Sequence, residues 1–110
     1  MRMLMKVNIP VETGNKAVWE GTLGKTIQQI LQAQRPEAAY FVADNGQRCG
    51  YLIVNLENES KIPALAEPWF LAFNAAIEFQ PAMKPEDLQQ AARDIESCAK
   101  TYTQEAVAAR

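Results

Sequence analysis

Residues 75–88 read Ala75-Ala76-Ile77-Glu78-Phe79-Gln80-Pro81-Ala82-Met83-Lys84-Pro85-Glu86-Asp87-Leu88. Apolar and polar side chains alternate up to Pro81, which is the pattern of a short half-buried strand. A helix is then predicted from Pro85, because proline fits the first turn and the two acids after it suit the positive end of the helix dipole. This strand is the last of four that the sequence predicts.

The first strand and first helix precede it. Residues 3–9 alternate between apolar and mixed positions, which again predicts a strand. Apolar residues then recur at three- and four-residue spacing from about residue 15 to about residue 33, which predicts one amphipathic helix. Gly21 and Gly24 lie inside it, and we expect them where the helix approaches the sheet closely. Pro36 disfavours any continuation of the helix.

The middle of the chain predicts a hairpin and a second helix. Residues 39–43 and 49–56 favour strands, and Asn45-Gly46 between them is a strong signal for a tight hairpin turn. The second helix is predicted over residues 62–74, with Trp69 in the core. Pro68 lies inside this helix and should kink or split it.

This order of elements predicts a ferredoxin-like α+β fold, βαββαβ, with a four-stranded antiparallel sheet. The 110 residues suit a single domain, and 48% of them are apolar, enough for one core. We expect the domain core over residues 3–84, an appended C-terminal helix over residues 85–102 and a frayed tail at residues 103–110.

Composition argues against several classes of function. The net charge is -2 and the 11 Lys and Arg are scattered, so no basic stripe is available for nucleic acid. No apolar run approaches the ~20 residues of a membrane span, and charges at Arg2 and Lys6 interrupt any signal-peptide core. We therefore expect a cytoplasmic protein that binds neither nucleic acid nor membrane.

The sequence also predicts neither a metal nor a cofactor. It contains no histidine, and Cys49 and Cys98 lie on different predicted elements without metal-ligand spacing. Both are expected to be reduced thiols. No glycine-rich phosphate loop or nucleophile elbow is present.

One face of the predicted sheet is left without helices, because both crossover helices of this topology lie on the other face. If the helices cover Met3 and Ile77, the open face carries Leu4, Lys6, Asn8, Glu78 and Gln80. The hairpin adds one of two alternating sets, and the sequence does not choose between them. They are Tyr40, Val42, Cys49, Tyr51 and Ile53, or Phe41, Ala43, Gly50, Leu52 and Val54. Either set leaves apolar area that favours a partner or a ligand.

Four segments of the chain resemble the dimeric α+β barrel superfamily. These segments are Met3-Leu4-Met5-Lys6-Val7, Pro36-Glu37-Ala38-Ala39-Tyr40-Phe41, Pro68-Trp69-Phe70 and the stretch from Glu78 to Leu88. That superfamily includes muconolactone isomerase-like proteins and small bacterial proteins with no assigned chemistry. In it, two subunits pack sheet against sheet around a cavity. The resemblance implies a homodimer of dimeric α+β barrel type, with a small organic ligand in the cavity.

Glu78 is the candidate catalytic residue. A carboxylate in a half-apolar cavity becomes a stronger base through desolvation and could move a proton between carbons. Lys6, Asn8 and Gln80 are expected beside it, although a Lys6–Glu78 pair could equally be structural. The remaining cavity candidates are Tyr40, Tyr51 and Arg48, which could orient an anionic or phenolic ligand. The alternative function is a non-catalytic dimeric interaction or regulatory module, with the appended helix docking onto a partner.

Overall fold

The computed structural model of the chain describes residues 1–103. In chain order the elements are β1 Arg2–Ile9, α1 Val11–Trp19, α2 Leu23–Gln34, β2 Ala38–Asp44, β3 Gln47–Asn55, a 3-10 turn Glu59–Lys61, α3 Ile62–Phe73, β4 Ala76–Pro81, α4 Pro85–Gln90 and α5 Ala92–Thr101. The tail that we expect to fray is residues 103–110, and all of it beyond Thr103 lies outside the described residues.

The four strands form one antiparallel sheet in the order β2-β3-β1-β4. β1 is central and pairs with β3 on one side and with β4 on the other. Helices connect β1 to β2 and β3 to β4, which is the ferredoxin-like α+β arrangement. The predicted ferredoxin-like fold class is therefore confirmed, and the first and last strands are neighbours in the sheet.

The hairpin between β2 and β3 has the predicted two-residue turn. Asp44 pairs with Gln47, and the turn residues Asn45 and Gly46 have φ values of 52° and 77°. Positive φ at both central positions gives a turn whose twist matches that of the strands. This turn sets the register of the hairpin and, through it, the face on which each hairpin side chain lies.

The core lies between the helices and one face of the sheet. Its strand side chains alternate along the sheet and include Met3, Met5, Val7, Ile9, Leu52 and Val54. Trp69 on α3 is fully buried, and its ring centroid lies 6.2 Å from that of Phe73. The Trp69 Nε1–H donates to Gln34 Oε1 at 3.2 Å. The one polar atom of this large side chain is therefore satisfied inside the core.

The prediction of a single helix over residues 15–33 is wrong, because the chain forms two helices there and the first ends at Trp19. Gly21 lies in the break with φ of 72°, a conformation that favours glycine. A Cβ at Gly21 or Gly24 would meet no atom within 4 Å, so neither glycine marks a close approach to the sheet. The break also resets the helical register, and Val18 and Trp19 of the predicted apolar stripe are exposed.

α3 runs as one helix through Pro68, so the predicted split does not occur. Proline lacks the N–H that would bond the carbonyl four residues earlier, at Ala64. Ala64 is exposed, so water can satisfy that carbonyl. Pro63 lies in the first turn, where no helical hydrogen bond is lost.

The appended helix predicted over residues 85–102 is two helices, α4 and α5. They meet at Ala91, whose φ of -83° and ψ of 0° lie outside the helical region. No glycine or proline marks this break in the sequence. The predicted start at Pro85 is confirmed, and the Asp87 carboxylate accepts a hydrogen bond of 2.8 Å from the Lys84 backbone N–H.

We call α4 and α5 together the C-terminal arm. All of its side chains are exposed, and Leu88 and Ile95 are its large apolar ones. The molecule is correspondingly elongated, with a radius of gyration of 19.2 Å where a compact domain of this size has about 13 Å. Among the described helices, none has the length and apolar character needed to cross a bilayer.

Candidate functional site

The strand register decides which side chains lie on the open face of the sheet. Tyr51 of β3 is directly opposite both Lys6 of β1 and Tyr40 of β2. Directly opposed residues share a face, so the hairpin contributes the first of the two predicted sets. The open face therefore carries Leu4, Lys6, Asn8, Tyr40, Val42, Cys49, Tyr51, Ile53, Glu78 and Gln80.

A hollow lies on this face where β1, β3 and β4 meet. Its volume is about 200 Å³, and it is lined by Leu4, Lys6, Tyr51, Glu78 and Gln80. On β4, Gln80 is opposite Leu4 and Glu78 is opposite Lys6. Four of the seven predicted site residues thus converge here: Lys6, Tyr51, Glu78 and Gln80.

Lys6 does not pair with the acid opposite it. Its Nζ lies 3.0 Å from Asp44 Oδ2, at the far end of β2, and 5.9 Å from the centroid of the Tyr51 ring. The hydrogen bond to Asp44 raises the pKa of Lys6 above its ordinary value. Lys6 therefore carries its charge with a counter-ion of its own, and in the described part of the chain no ion pair or hydrogen bond reaches the Glu78 carboxylate.

Asp44 is the residue that sequence reasoning missed. It flanks the Asn45-Gly46 turn, just outside the strand predicted over residues 39–43. A two-residue turn fixes the alternation of β2, so Asp44 lies on the same face as Val42 and Tyr40. Alternation along β2 was the signal that could have found Asp44. Using that signal requires knowing which hairpin set lies on the open face, and the sequence left this choice open.

Asn8 and Tyr40 lie on the open face but do not line the hollow. Asn8 is opposite Cys49, and its Oδ1 atom is buried without a hydrogen-bond partner. Cys49 is buried beside it, and burial raises the pKa of its thiol. Tyr40 is 68% exposed on the edge strand. Both candidates are therefore on the open face but outside the hollow, Asn8 beside Ala76 of β4 and Tyr40 on the edge strand.

Arg48 lies on the other face of the sheet and does not belong with the predicted site. It is opposite Ile9, a core residue, and its Nη1 donates to Asn15 Oδ1 of α1 at 3.1 Å. A Cβ at Gly14 would lie 2.6 Å from the same nitrogen. Arg48 thus packs α1 onto β3 close to Gly14, and the open face lacks the cation expected to orient an anionic ligand.

A second charged group lies at one end of the sheet. The Arg2 guanidinium donates from Nε to Glu37 Oε2 at 2.8 Å, and Lys84 Nζ lies 4.0 Å from the same carboxylate. The hydrogen bond from Arg2 lowers the pKa of Glu37 below its ordinary value. This cluster joins the start of β1 to the segment before β2 and to the base of the C-terminal arm.

Two of the three larger hollows lie beside the helices, away from the hollow on the open face. One of about 410 Å³ lies among α1, α2 and the end of α3, with Glu12, Lys16 and Glu20 on its rim. Another of about 320 Å³ lies between α2 and the β2 edge and is lined mainly by apolar side chains such as Ile27 and Phe41. Neither contains a predicted site residue except Arg48. In residues 1–103, no cluster of side chains could hold a metal ion.

Comparison of the sequence with known protein families and with curated proteins returns no match. Among solved structures, the chain is similar to a formyltetrahydrofolate deformylase from Pseudomonas putida KT2440, with a TM-score of 0.46 and 18% sequence identity. The similarity covers 74% of this chain. It covers 29% of that protein, so this chain spans less than a third of its length.

Proposed function

We propose that the protein is a homodimer whose two open sheet faces enclose a site for a small organic molecule. The observation that carries this proposal is the hollow on the open face. Leu4 and Tyr51 supply its apolar surface, and Glu78 supplies a carboxylate with no partner of its own. Ligand sites are typically concave and mostly apolar, with a few polar groups that fix orientation.

The exposed surface supports a second copy as the cover. All the crossover helices lie on the opposite face, and Tyr40 and Val42 remain exposed on the open one. A two-fold axis would place the same apolar patch of two copies in contact and close the assembly. This is the arrangement of the dimeric α+β barrel superfamily with its muconolactone isomerase-like members, and we propose it for this chain.

Volume is consistent with an enclosed dimer site. One hollow of about 200 Å³ is smaller than the ~300 Å³ at the lower end of ligand pockets. Two hollows that face each other across the dimer would together exceed that volume. Enclosure would also remove Glu78 from water, since in a single copy its side chain is exposed.

The catalytic form of this proposal assigns Glu78 the role of base. In an enclosed cavity a carboxylate binds a proton more strongly, and it could then move that proton between two carbons of a ligand. Gln80 and Tyr51 are the neighbouring groups that could hold the ligand in place. The reaction class would be isomerisation, with no cofactor.

A second candidate function rests on the C-terminal arm. Leu88 and Ile95 are large apolar side chains that the rest of the chain leaves exposed. Helices this short are marginal in water on their own, so packing against another surface would stabilise them. A non-catalytic dimeric module that docks through the arm is therefore the alternative.

We also propose a cytoplasmic location. Cys98 is an exposed free thiol on α5, and Cys49 is a buried free thiol. Thiols in these forms are typical of reducing compartments.

A thermal-shift screen tests the main proposal. Lactones, phenols, carboxylates and amines are screened against the native protein and against Glu78→Gln, and each hit is then assayed for turnover. For the catalytic form, Glu78→Gln keeps fold and dimer but abolishes turnover. Equal turnover by both proteins would remove Glu78 as the base. A screen without any hit would favour the interaction module.

A further inference from the structure

The open face has an uneven distribution of charge. Two cations of β1, Arg2 and Lys6, lie on it by strand alternation, and Lys84 joins Arg2 beside Glu37 at one end of the sheet. Each is already ion-paired, Arg2 with Glu37 at 2.8 Å and Lys6 with Asp44 at 3.0 Å. These partners come from the segment around β2, on the side of the sheet away from β4.

Among the residues that the structure describes, Glu78 is the acid of this face that forms no ion pair. It is directly opposite Lys6, which is the position where a cross-strand ion pair normally forms. The Lys6 side chain instead extends across Tyr51 towards Asp44. Arg48, the other basic residue expected at this site, lies on the helix-covered face. Lys6 is in an ion pair with Asp44 and attracts Glu78 only at longer range, so the hollow and its ion pair have one negative charge in excess per copy.

Enclosing that charge has a physical consequence. A carboxylate taken out of water without a cation is strongly disfavoured, whereas a paired one can be accommodated. In a two-fold dimer each face contributes the same uncompensated acid, so a second copy does not balance the first. A cationic ligand would.

We infer that the ligand is a small organic amine. Its ammonium group pairs with the Glu78 carboxylate and can donate to the Gln80 side-chain carbonyl, while its apolar part lies against Leu4 and the Tyr51 ring. A charge-assisted hydrogen bond fixes the cationic end, and the aromatic face favours both an apolar group and a nearby cation. This inference rests on the proposed function and specifies its ligand class. It assigns Glu78 the role of counter-ion in binding.

The test uses three compounds of similar size and different charge. They are 2-phenylethylamine, 2-phenylethanol and phenylacetate, each titrated into the protein and followed by NMR. The amine is expected to bind best and to shift the backbone signals of Leu4, Tyr51 and Gln80. Glu78→Gln should weaken amine binding about tenfold to a hundredfold, the range of one charge-assisted hydrogen bond, and leave the alcohol unchanged.

Glu67→Gln is the matched control. It removes the same charge from an exposed position on α3, on the helical side of the sheet, and amine binding should not change. Thermal melting of both variants checks that they fold, and the shift map identifies the site independently of either variant. Preference for the carboxylate, equal binding of all three compounds, or amine binding that survives Glu78→Gln would overturn the inference and leave the proposed site in place. If none of the three binds, the inference fails. The proposed function fails with it only when the broader screen is blank as well.

Discussion

Lys6 and Glu78 lie directly opposite each other on β1 and β4, yet the Lys6 ammonium makes its ion pair with Asp44, 3.0 Å away on the other side of Tyr51. This relationship decides the electrostatics of the open face. A Lys6–Glu78 pair would leave Asp44 as the unpaired acid at the hairpin tip. The observed pair leaves the unpaired acid in the hollow instead, beside Leu4 and Gln80.

Replacement of Trp69 by alanine should destabilise the protein by about 3–5 kcal/mol, because the fully buried indole leaves a cavity that the core cannot fill. Trp19 offers a matched control, since it is the same residue type at 82% exposure. Trp19→Ala should change stability by no more than about 0.5 kcal/mol. Urea unfolding followed by far-UV circular dichroism measures both, and a loss under 1 kcal/mol for Trp69→Ala would show that it is not a core residue.

Two glycines three residues apart should respond to alanine in opposite directions. Gly24 lies in the first turn of α2 with open space around it, so Gly24→Ala should stabilise by about 0.5–1 kcal/mol. Gly21 has φ of 72°, and Gly21→Ala should destabilise by about 1–2 kcal/mol. Thermal melting of the two variants checks the sign. Equal effects would indicate that α1 and α2 are continuous in solution.

A glutamate on the open face should dissociate the proposed dimer. Val42→Glu places a charge at an exposed position of the surface that the second copy would cover. Leu71→Glu is the control, because Leu71 is an exposed apolar residue on α3, behind the sheet. Light scattering should show a dimer for the native protein and for Leu71→Glu, and a monomer for Val42→Glu. A folded, monodisperse native monomer at micromolar concentration would contradict the dimer.

The Arg2–Glu37 pair should contribute to stability only above acidic pH. Hydrogen bonding to Arg2 lowers the folded-state pKa of Glu37 below 4.5. A lowered pKa means that the contribution is fully present above the unfolded value and is lost as pH falls through the folded one. Arg2→Met should return the Glu37 titration, followed by carboxyl carbon NMR, towards 4.5. Lys84→Met should move it less, since Lys84 Nζ is 4.0 Å away. A Glu37 titration that Arg2→Met leaves unchanged would contradict this account.

Local signals were sufficient for much of the fold. Alternation identified β1 and β4, Asn45-Gly46 identified the hairpin, and Pro85 identified the start of the arm. Each signal reports on backbone conformation within a few residues, where sequence and structure are directly coupled. The errors came where a local pattern was extended too far. Apolar residues kept their helical spacing across Gly21 and across Ala91. Periodicity alone therefore does not reveal a single residue whose backbone is non-helical.

The candidate site was predicted only in part, for a different reason. Alternation along the first and last strands placed Lys6, Glu78 and Gln80 on one face. The apolar residues of those two strands show which positions face the core. The hairpin face was undetermined, since both of its alternating sets are largely apolar. Arg48 was grouped with Tyr51, although two residues three positions apart on a strand lie on opposite faces of the sheet.

The amino-acid sequence by itself determined the order of strands and helices, the hairpin turn and the parity of the first and last strands, because these depend on neighbours in the chain. Only the tertiary structure decided the hairpin face, the position of Arg48 behind the sheet and the partner of Lys6. Each of these depends on register between strands that are far apart in sequence. Register is settled by which apolar side chains the helices cover, and a shift of one residue would move every charge on the open face to the other side.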